Sequence, residues 1–300
     1  MTLRSVAIVG PGRMGLTLAQ GLWDSGVVGS ITVYGRHPDP PGHPLFAQGS
    51  AEYVYGAAPL DGRTAALILA VPETTIPEVA HAFAAQGPAP EGCAAFHLSG
   101  ALPSDVLEPL YHAGYAVGTL HPLLAVTHPL TGADRLPGAS LALTGGPMAT
   151  RVAGALADAM GMSLIEVPAG RRALYHAAVV LASTTILPIL DQCARLLVRA
   201  GVDHDQAVES LLPLVRSTLA SVEERGTAES LRGPVARGDV ETVSLHLRAL
   251  DPEDQRLYAL VGSELVRLSE GMDPDTRGEL DDLFDRYTRP VLSEAGGGDG

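Results

Sequence analysis

The chain contains neither lysine nor asparagine; each of its 20 basic residues is an arginine. That absence excludes a lysine general base, a Schiff base and a P-loop lysine. Cysteine is nearly as scarce. Cys93 and Cys193 lie far apart, without the spacing of a metal knuckle or a CxxC redox pair, so no metal site is expected. Both read as reduced core fillers, consistent with a cytoplasmic location. The opening residues lack the apolar run and cleavage site of a secretory signal. No uncharged apolar stretch bounded by membrane anchors appears; the longest, 173–190, contains His176, is closed by Pro188 and reads as a buried helix. Acids outnumber bases 34 to 20, a net charge of -14. Such a balance repels phosphate backbones and anionic lipid, so neither nucleic acid nor a membrane is an expected partner.

What the chain does have is enough apolar material, 46% of 300 residues, for two domains with real cores. Apolar runs at 3–9, 30–34, 65–71, 94–98, 115–120, 140–143 and 163–167 read as strands. They alternate with helical patterns at 16–26, 76–86, 104–112 and 147–160. This alternation predicts an α/β fold: a Rossmann-like, doubly wound, mostly parallel sheet built from right-handed crossovers. Beyond Pro168 only helical patterns occur, at 171–200, 204–221, 240–250, 252–269 and 276–287. The expected organisation is therefore a dinucleotide-binding domain over 1–167, a smaller all-α substrate and dimerisation domain over 168–290, and a flexible tail over 291–300.

The first strand runs into Gly10-Pro11-Gly12-Arg13-Met14-Gly15, a GxGxxG placed between strand and helix as dinucleotide binding requires. Gly10 makes the tight turn, Gly12 admits the diphosphate, and Gly15 lets helix and strand close up. The amides of Arg13 and Met14 then face the phosphates. At the end of the second strand stands Tyr34-Gly35-Arg36-His37, where an acid would select NAD. Arg36 and His37 instead suit a 2′-phosphate, so NADP is expected ahead of NAD.

Three further segments arrive at the carboxyl ends of strands. Val71-Pro72 can line the cofactor, Ser99 with Gly100 stands beside the nicotinamide, and His121-Pro122 places an imidazole at the mouth of the crevice. His176, near the start of a long apolar helix, needs a buried partner. Either histidine could pass a proton near neutral pH. The other histidines sit in loops or on helix faces; His97 reads as a strand-end group satisfying backbone.

These residues carry a resemblance. Gly10 to Gly15, the run His97-Leu98-Ser99-Gly100-Ala101-Leu102, the run Gly118-Thr119-Leu120-His121-Pro122-Leu123, the run Leu174-Tyr175-His176-Ala177-Ala178, and Gly233-Pro234-Val235-Ala236-Arg237-Gly238-Asp239 followed by Thr242 and His246 resemble a bacterial two-domain family. Its members join a Rossmann-like domain to a C-terminal helical domain of unknown function (DUF2520). It is similar in turn to the group of 6-phosphogluconate dehydrogenase, β-hydroxyacid dehydrogenases and pyrroline-5-carboxylate reductase. The resemblance implies an NAD(P)-binding oxidoreductase whose helical domain closes the site and builds a dimer. The lysine and asparagine that β-hydroxyacid dehydrogenases use have no counterpart here. The family's Ser-Asn pair is Ser183-Thr184, and Arg232 replaces the threonine before Gly233.

Together these readings predict hydride transfer between NADP and a small carbonyl or imine substrate bearing a carboxylate. His121 or His176 is the acid, Ser99 borders the nicotinamide, and Arg237 beside Asp239 pairs with the carboxylate. The alternatives are an NADP(H)-binding sensor or assembly protein without turnover, and an NADPH-dependent flavin or deazaflavin reductase.

Overall fold

The computed structural model describes residues 3–288. The expected tail at 291–300 lies outside the described residues. Eight strands form one sheet: β1 (Ser5–Val9), β2 (Ser30–Gly35), β3 (Glu52–Tyr55), β4 (Thr64–Leu69), β5 (Ala94–His97), β6 (Ala116–Leu123), β7 (Ser140–Gly145) and β8 (Ser163–Glu166). Their order is β3-β2-β1-β4-β5-β6-β7-β8. Every neighbouring pair is parallel except β6 and β7. The chain winds outward from β1 in one direction through β2 and β3, then in the other from β4. The strand order therefore reverses between β1 and β4, where α/β sheets open a ligand crevice at the carboxyl ends.

One strand of the sheet departs from the sequence reading. Strand β3 is absent from it, because four residues half-exposed at a sheet edge leave almost no hydrophobic alternation to read. The sheet is mostly parallel, as expected, with one antiparallel pair, β6 with β7. A parallel return needs a crossover of a dozen or more residues, usually a helix. The segment between Leu123 and Ser140 holds only one-turn helices around His128-Pro129, so β7 returns antiparallel.

Helices cover both faces of the sheet. The first unit holds α1 (Arg13–Asp24), the one-turn α2 (Pro44–Ala47), α3 (Ile76–Ala84), α4 (Glu108–His112), the one-turn α5 (Pro129–Gly132), α6 (Pro147–Ala159) and α7 (Arg172–Ala182). β1 and β4 are buried along their whole length. Ile8, Ile68 and Phe96 face one core, shared with Leu18 and Leu22 of α1 and Val152 and Leu156 of α6. Leu67, Leu69 and Ala95 face the other, shared with Ile76 and Phe83 of α3 and Leu110 of α4.

The compact units divide between Ile186 and Leu187, later than the change of pattern at Pro168, because α7 is anchored to the first unit by its buried Arg172. The helical pattern over 171–200 is also broken in two, into α7 and α8 (Ile186–Arg199). Pro188 lacks an amide to bond the carbonyl four residues back, at Thr184, and its ring crowds that carbonyl. The hydroxyls of Ser183 and Thr185 meanwhile bond Val179 and Val180 carbonyls. Nor is α7 a buried helix: Leu174 and Leu181 are 66% and 67% exposed. By length and composition the segment Ala169–Arg199 is apolar enough to cross a membrane. Its break leaves two pieces, each shorter than the ~20 residues a span requires.

The second unit is helical throughout its described residues: α8, α9 (His204–Arg225), the one-turn α10 (Thr227–Ser230), α11 (Val240–Ala249), α12 (Pro252–Leu268) and α13 (Pro274–Thr288). Its core gathers Val243, Leu247, Ala259, Val266, Leu280 and Phe284. Gly262 lets the Phe284 ring lie against α12, since a Cβ there would stand 2.4 Å from that ring.

Candidate functional site

The turn from β1 into α1 is built by its glycines. Gly10 has φ +105°, and a Cβ on it would stand 2.4 Å from the Ala70 carbonyl oxygen. A Cβ on Gly15 would stand 2.0 Å from the Gly10 carbonyl oxygen. Both are required by packing alone. Gly12 differs. It caps α1 in extended conformation without a side-chain cap, and a Cβ on it meets nothing within 4 Å. The first amides of α1, which have no partner inside the helix, thus open onto free space at the strand reversal. Such a cradle of amides and positive helix dipole fits a diphosphate. Arg13 is exposed beside it; the Met14 side chain packs on the core, leaving only its backbone to face a ligand.

The adjoining groups are in place. The Gly10 amide donates to the Tyr34 carbonyl at 2.8 Å, which draws the end of β2 against the glycine turn. Arg36 and His37 follow, both exposed, and Arg36 has no acidic partner among the described residues. The Tyr53 hydroxyl donates to the His37 carbonyl at 2.6 Å, fixing this corner. At the end of β4, Val71 lies against Gly10, and Pro72 opens a short turn that carries Glu73.

Ser99 is committed differently from the sequence expectation. Its hydroxyl donates to the Glu73 carboxylate and accepts from the Ala101 and Leu102 amides at 3.2 and 3.0 Å. The hydroxyl is spent on shaping its own loop. His97 is fully buried; its Nδ1 accepts from the Ser99 amide at 3.2 Å, and its Nε2 lies 3.0 Å from the Pro103 carbonyl. This is the backbone-satisfying role read from sequence, and desolvation lowers its pKa.

Arg172, unremarked in the sequence reading, holds the site together. It is 2% exposed. Its Nε donates to the Leu102 carbonyl, one terminal nitrogen to Thr144 Oγ1, and the other to the carbonyls of Ser99 and Gly100. Four acceptors on one guanidinium leave it no fork for a substrate, so it is a positioning residue. The signal in the sequence was an arginine in the first turn of an apolar helix, with no acid nearby to neutralise it.

Against this loop the structure brings His121 and His176 together, edge to face with ring centroids 5.8 Å apart. Gly100 permits this, because a Cβ there would stand 2.4 Å from the His176 ring and 3.2 Å from that of His121. His121 Nδ1 shares a 2.7 Å hydrogen bond with the Tyr175 hydroxyl, and the Arg172 guanidinium stands 5.7 Å from the Tyr175 ring. Burial, then the neighbouring His176 and Arg172, push the His121 imidazole down to about 4, with Glu73 opposing. The imidazole is neutral at pH 7.

This has a stability consequence. The unfolded chain takes up a proton on His121 near the ordinary value of 6.5, whereas the folded chain does so only near 4. Stability is therefore full above about pH 6.5 and declines as pH falls toward 4; the lowered values of His97 and His43 act in the same sense. Urea unfolding at stepped pH should show this decline, and His121→Gln should flatten it.

Arg237 and Asp239 belong to the second unit. Asp239 caps α11, accepting from the Thr242 amide and hydroxyl at 3.0 and 2.7 Å. The exposed Arg237 guanidinium stands 3.9 Å from it. No group of three metal-ligating side chains occurs among the described residues.

Two family models match parts of the chain, and the second crosses the boundary between the units. A Rossmann-like domain model matches residues 55–122, and the model of a domain of unknown function (DUF2520) matches 139–265. The chain joins a Rossmann-like domain to a DUF2520 domain. The second match begins ahead of β7, so the DUF2520 region contributes β7 and β8 to the sheet as well as α6 to α12. The fold is similar to that of protein TM1727 from Thermotoga maritima, at 18% identity and TM-score 0.69, covering 88% of this chain and 98% of that one. It is also similar to Plasmodium falciparum pyrroline carboxylate reductase with NADP bound, at 11% identity and TM-score 0.58, covering 96% and 98%. A third similar structure is a reductive aminase from Aspergillus terreus in complex with NADPH and ethyl-5-oxohexanoate, at 17% identity and TM-score 0.56, covering 95% and 93%. A search of curated protein sequences finds no match.

Proposed function

We propose that the protein is an NADP-dependent oxidoreductase acting on a small carbonyl or imine substrate. The observation that carries this reading is the Gly12 cradle: an uncapped, open helix N-terminus at the strand reversal, with Arg36 beside it. The NADP and NADPH held by the similar reductase and aminase structures support it. Arg13, Met14 and Gly15 would offer backbone amides to the diphosphate, Arg36 and His37 would take the 2′-phosphate, and Val71-Pro72 would border the nicotinamide. The reduced nicotinamide supplies a hydride when bound. Glu73 and Ser99 fix the loop on one side of the reacting space, and His121 with His176 supplies hydrogen-bonding and proton-transfer groups on the other.

The same reading takes the protein as cytoplasmic, with Cys93 and Cys193 free. It also takes the protein as a homodimer, in which a second copy covers the exposed Leu174, Val180 and Leu181 of α7.

Cofactor choice gives the direct test. Arg36→Ala should weaken NADPH binding by roughly 10- to 100-fold, the loss of one charge-assisted phosphate contact, and leave NADH binding within about twofold. Titrations followed by nicotinamide fluorescence measure both. Equal loss for the two cofactors would remove Arg36 from the 2′-phosphate. Saturable binding of NADPH without oxidation by carbonyl, imine or flavin acceptors would favour a sensor over an enzyme.

A further inference from the structure

We propose that Tyr175 and His121 form a proton relay, in which the Tyr175 hydroxyl donates to Nδ1 of His121 and the opposite nitrogen presents its N–H to the oxygen of a carbonyl substrate. The inference deepens the oxidoreductase reading and rests on it for the hydride.

The direction of the 2.7 Å hydrogen bond follows from the charge beside it. The Tyr175 hydroxyl makes no other hydrogen bond among the described residues. Counting donors does not separate the two directions: if Tyr175 accepts, its own hydrogen has no protein partner, and if it donates, the Nε2–H of His121 has none and is left for a substrate. Arg172 sets the preference. A guanidinium 5.7 Å from the ring centroid polarises the phenol toward donation, and it opposes the burial that pushes the Tyr175 hydroxyl up to about 12. With Nδ1 accepting, the proton of the neutral imidazole resides on Nε2. That nitrogen has no partner among the described residues.

Every charged or titratable group facing His121 bears on its protonation. Arg172 and His176 disfavour a proton on it, Glu73 favours one, and burial outweighs them all. His121 thus approaches a substrate as a neutral donor rather than as an imidazolium. Such a donor serves an oxygen that gains negative charge, which a carbonyl group does on reduction. An iminium ion loses positive charge instead and has little use for it. The step balances. Hydride from the reduced nicotinamide forms the new C–H bond, and the C=O π pair moves onto oxygen. The oxygen takes the Nε2 proton, Nδ1 takes the Tyr175 proton, and the charge ends as phenolate beside Arg172. A phenol near 12 is a stronger acid than an aliphatic alcohol, so the transfer runs downhill from the alkoxide. Tyr175 acts through His121 and is its relay partner rather than a group touching substrate.

Histidine side-chain nitrogen NMR on the full-length, uniformly 15N-labelled protein tests the relay without any substrate. The His121 signals are assigned by their loss in His121→Gln. The wild type is expected to show His121 as the neutral Nε2–H tautomer at pH 7, and still neutral at pH 5.5. In Tyr175→Phe that fixed form should be lost to a mixture of tautomers, with the near-ultraviolet and amide spectra otherwise retained. A His121 found as the Nδ1–H tautomer or as a cation at pH 7, or a tautomer unchanged in Tyr175→Phe, would overturn the relay. These readouts do not depend on cofactor, so a protein that fails to bind NADPH yet shows the expected tautomer would separate failure of the oxidoreductase reading from failure of the relay.

Discussion

Gly12→Val is expected to fold as the wild type does and to lose NADPH. Gly12 already has extended backbone angles, φ -81° and ψ -176°, which valine adopts readily, and a Cβ there has open space around it. Replacing a glycine cap by an apolar residue costs helix stability of roughly 1 kcal/mol or less. The space entered by the new side chain is the space in front of the α1 amides, where a diphosphate must come within hydrogen-bonding distance. Excluding it should weaken NADPH at least about 100-fold, some 2.7 kcal/mol. Gly15→Ala supplies the contrast. Its Cβ would collide with the Gly10 carbonyl at 2.0 Å, so binding should be lost together with thermal stability. The two variants differ in cause: one blocks the ligand and the other opens the strand-helix joint.

Arg172→Met should produce the largest stability loss among single substitutions in the first unit outside the apolar core. Methionine keeps much of the arginine's length and apolar stem, but leaves the carbonyls of Ser99, Gly100 and Leu102 and the Thr144 hydroxyl without their donor. Each buried acceptor left unmet costs about 1–3 kcal/mol. Some will find water, so a total of roughly 3 kcal/mol or more is expected, a large share of the ~5–15 kcal/mol that holds a domain folded. The calorimetric transition should fall by roughly 10 °C. Arg171→Met, at the exposed neighbouring position, should change stability by less than about 0.5 kcal/mol. An Arg172→Met transition unmoved from the wild type would show that the guanidinium is not what fixes the Ser99 loop.

The glycine turn and the sheet around it were legible because their causes are local. A strand buried on both faces is a continuous apolar run, and the fingerprint states where the backbone must turn tightly. β3 was illegible because an exposed edge strand of four residues carries no pattern. The antiparallel β7 was legible only in retrospect, as a connection too poor in helix to cross the sheet. The candidate site divides in the same way. His121 and His176 are chemically conspicuous residues, and both come to one place. Ser99 is there too, but its hydroxyl serves the loop. The roles of Arg172 and Tyr175 escaped notice because they depend on partners 73 and 54 residues away, a pairing that no spacing encodes. Asp239 has local capping partners within three residues, the Thr242 amide and hydroxyl.

The proposed function stands on the amides behind Gly12 receiving a dinucleotide diphosphate. Titrating the wild-type chain and Gly12→Val with NADPH, while following nicotinamide fluorescence, tests it most directly. Saturable enhancement is expected in the wild type, and none in a Gly12→Val protein whose circular dichroism is unchanged and whose melting falls by no more than a few degrees. A wild-type protein that shows no saturable response to millimolar NADPH or NADH, or a Gly12→Val protein that binds as tightly as the wild type, would contradict it.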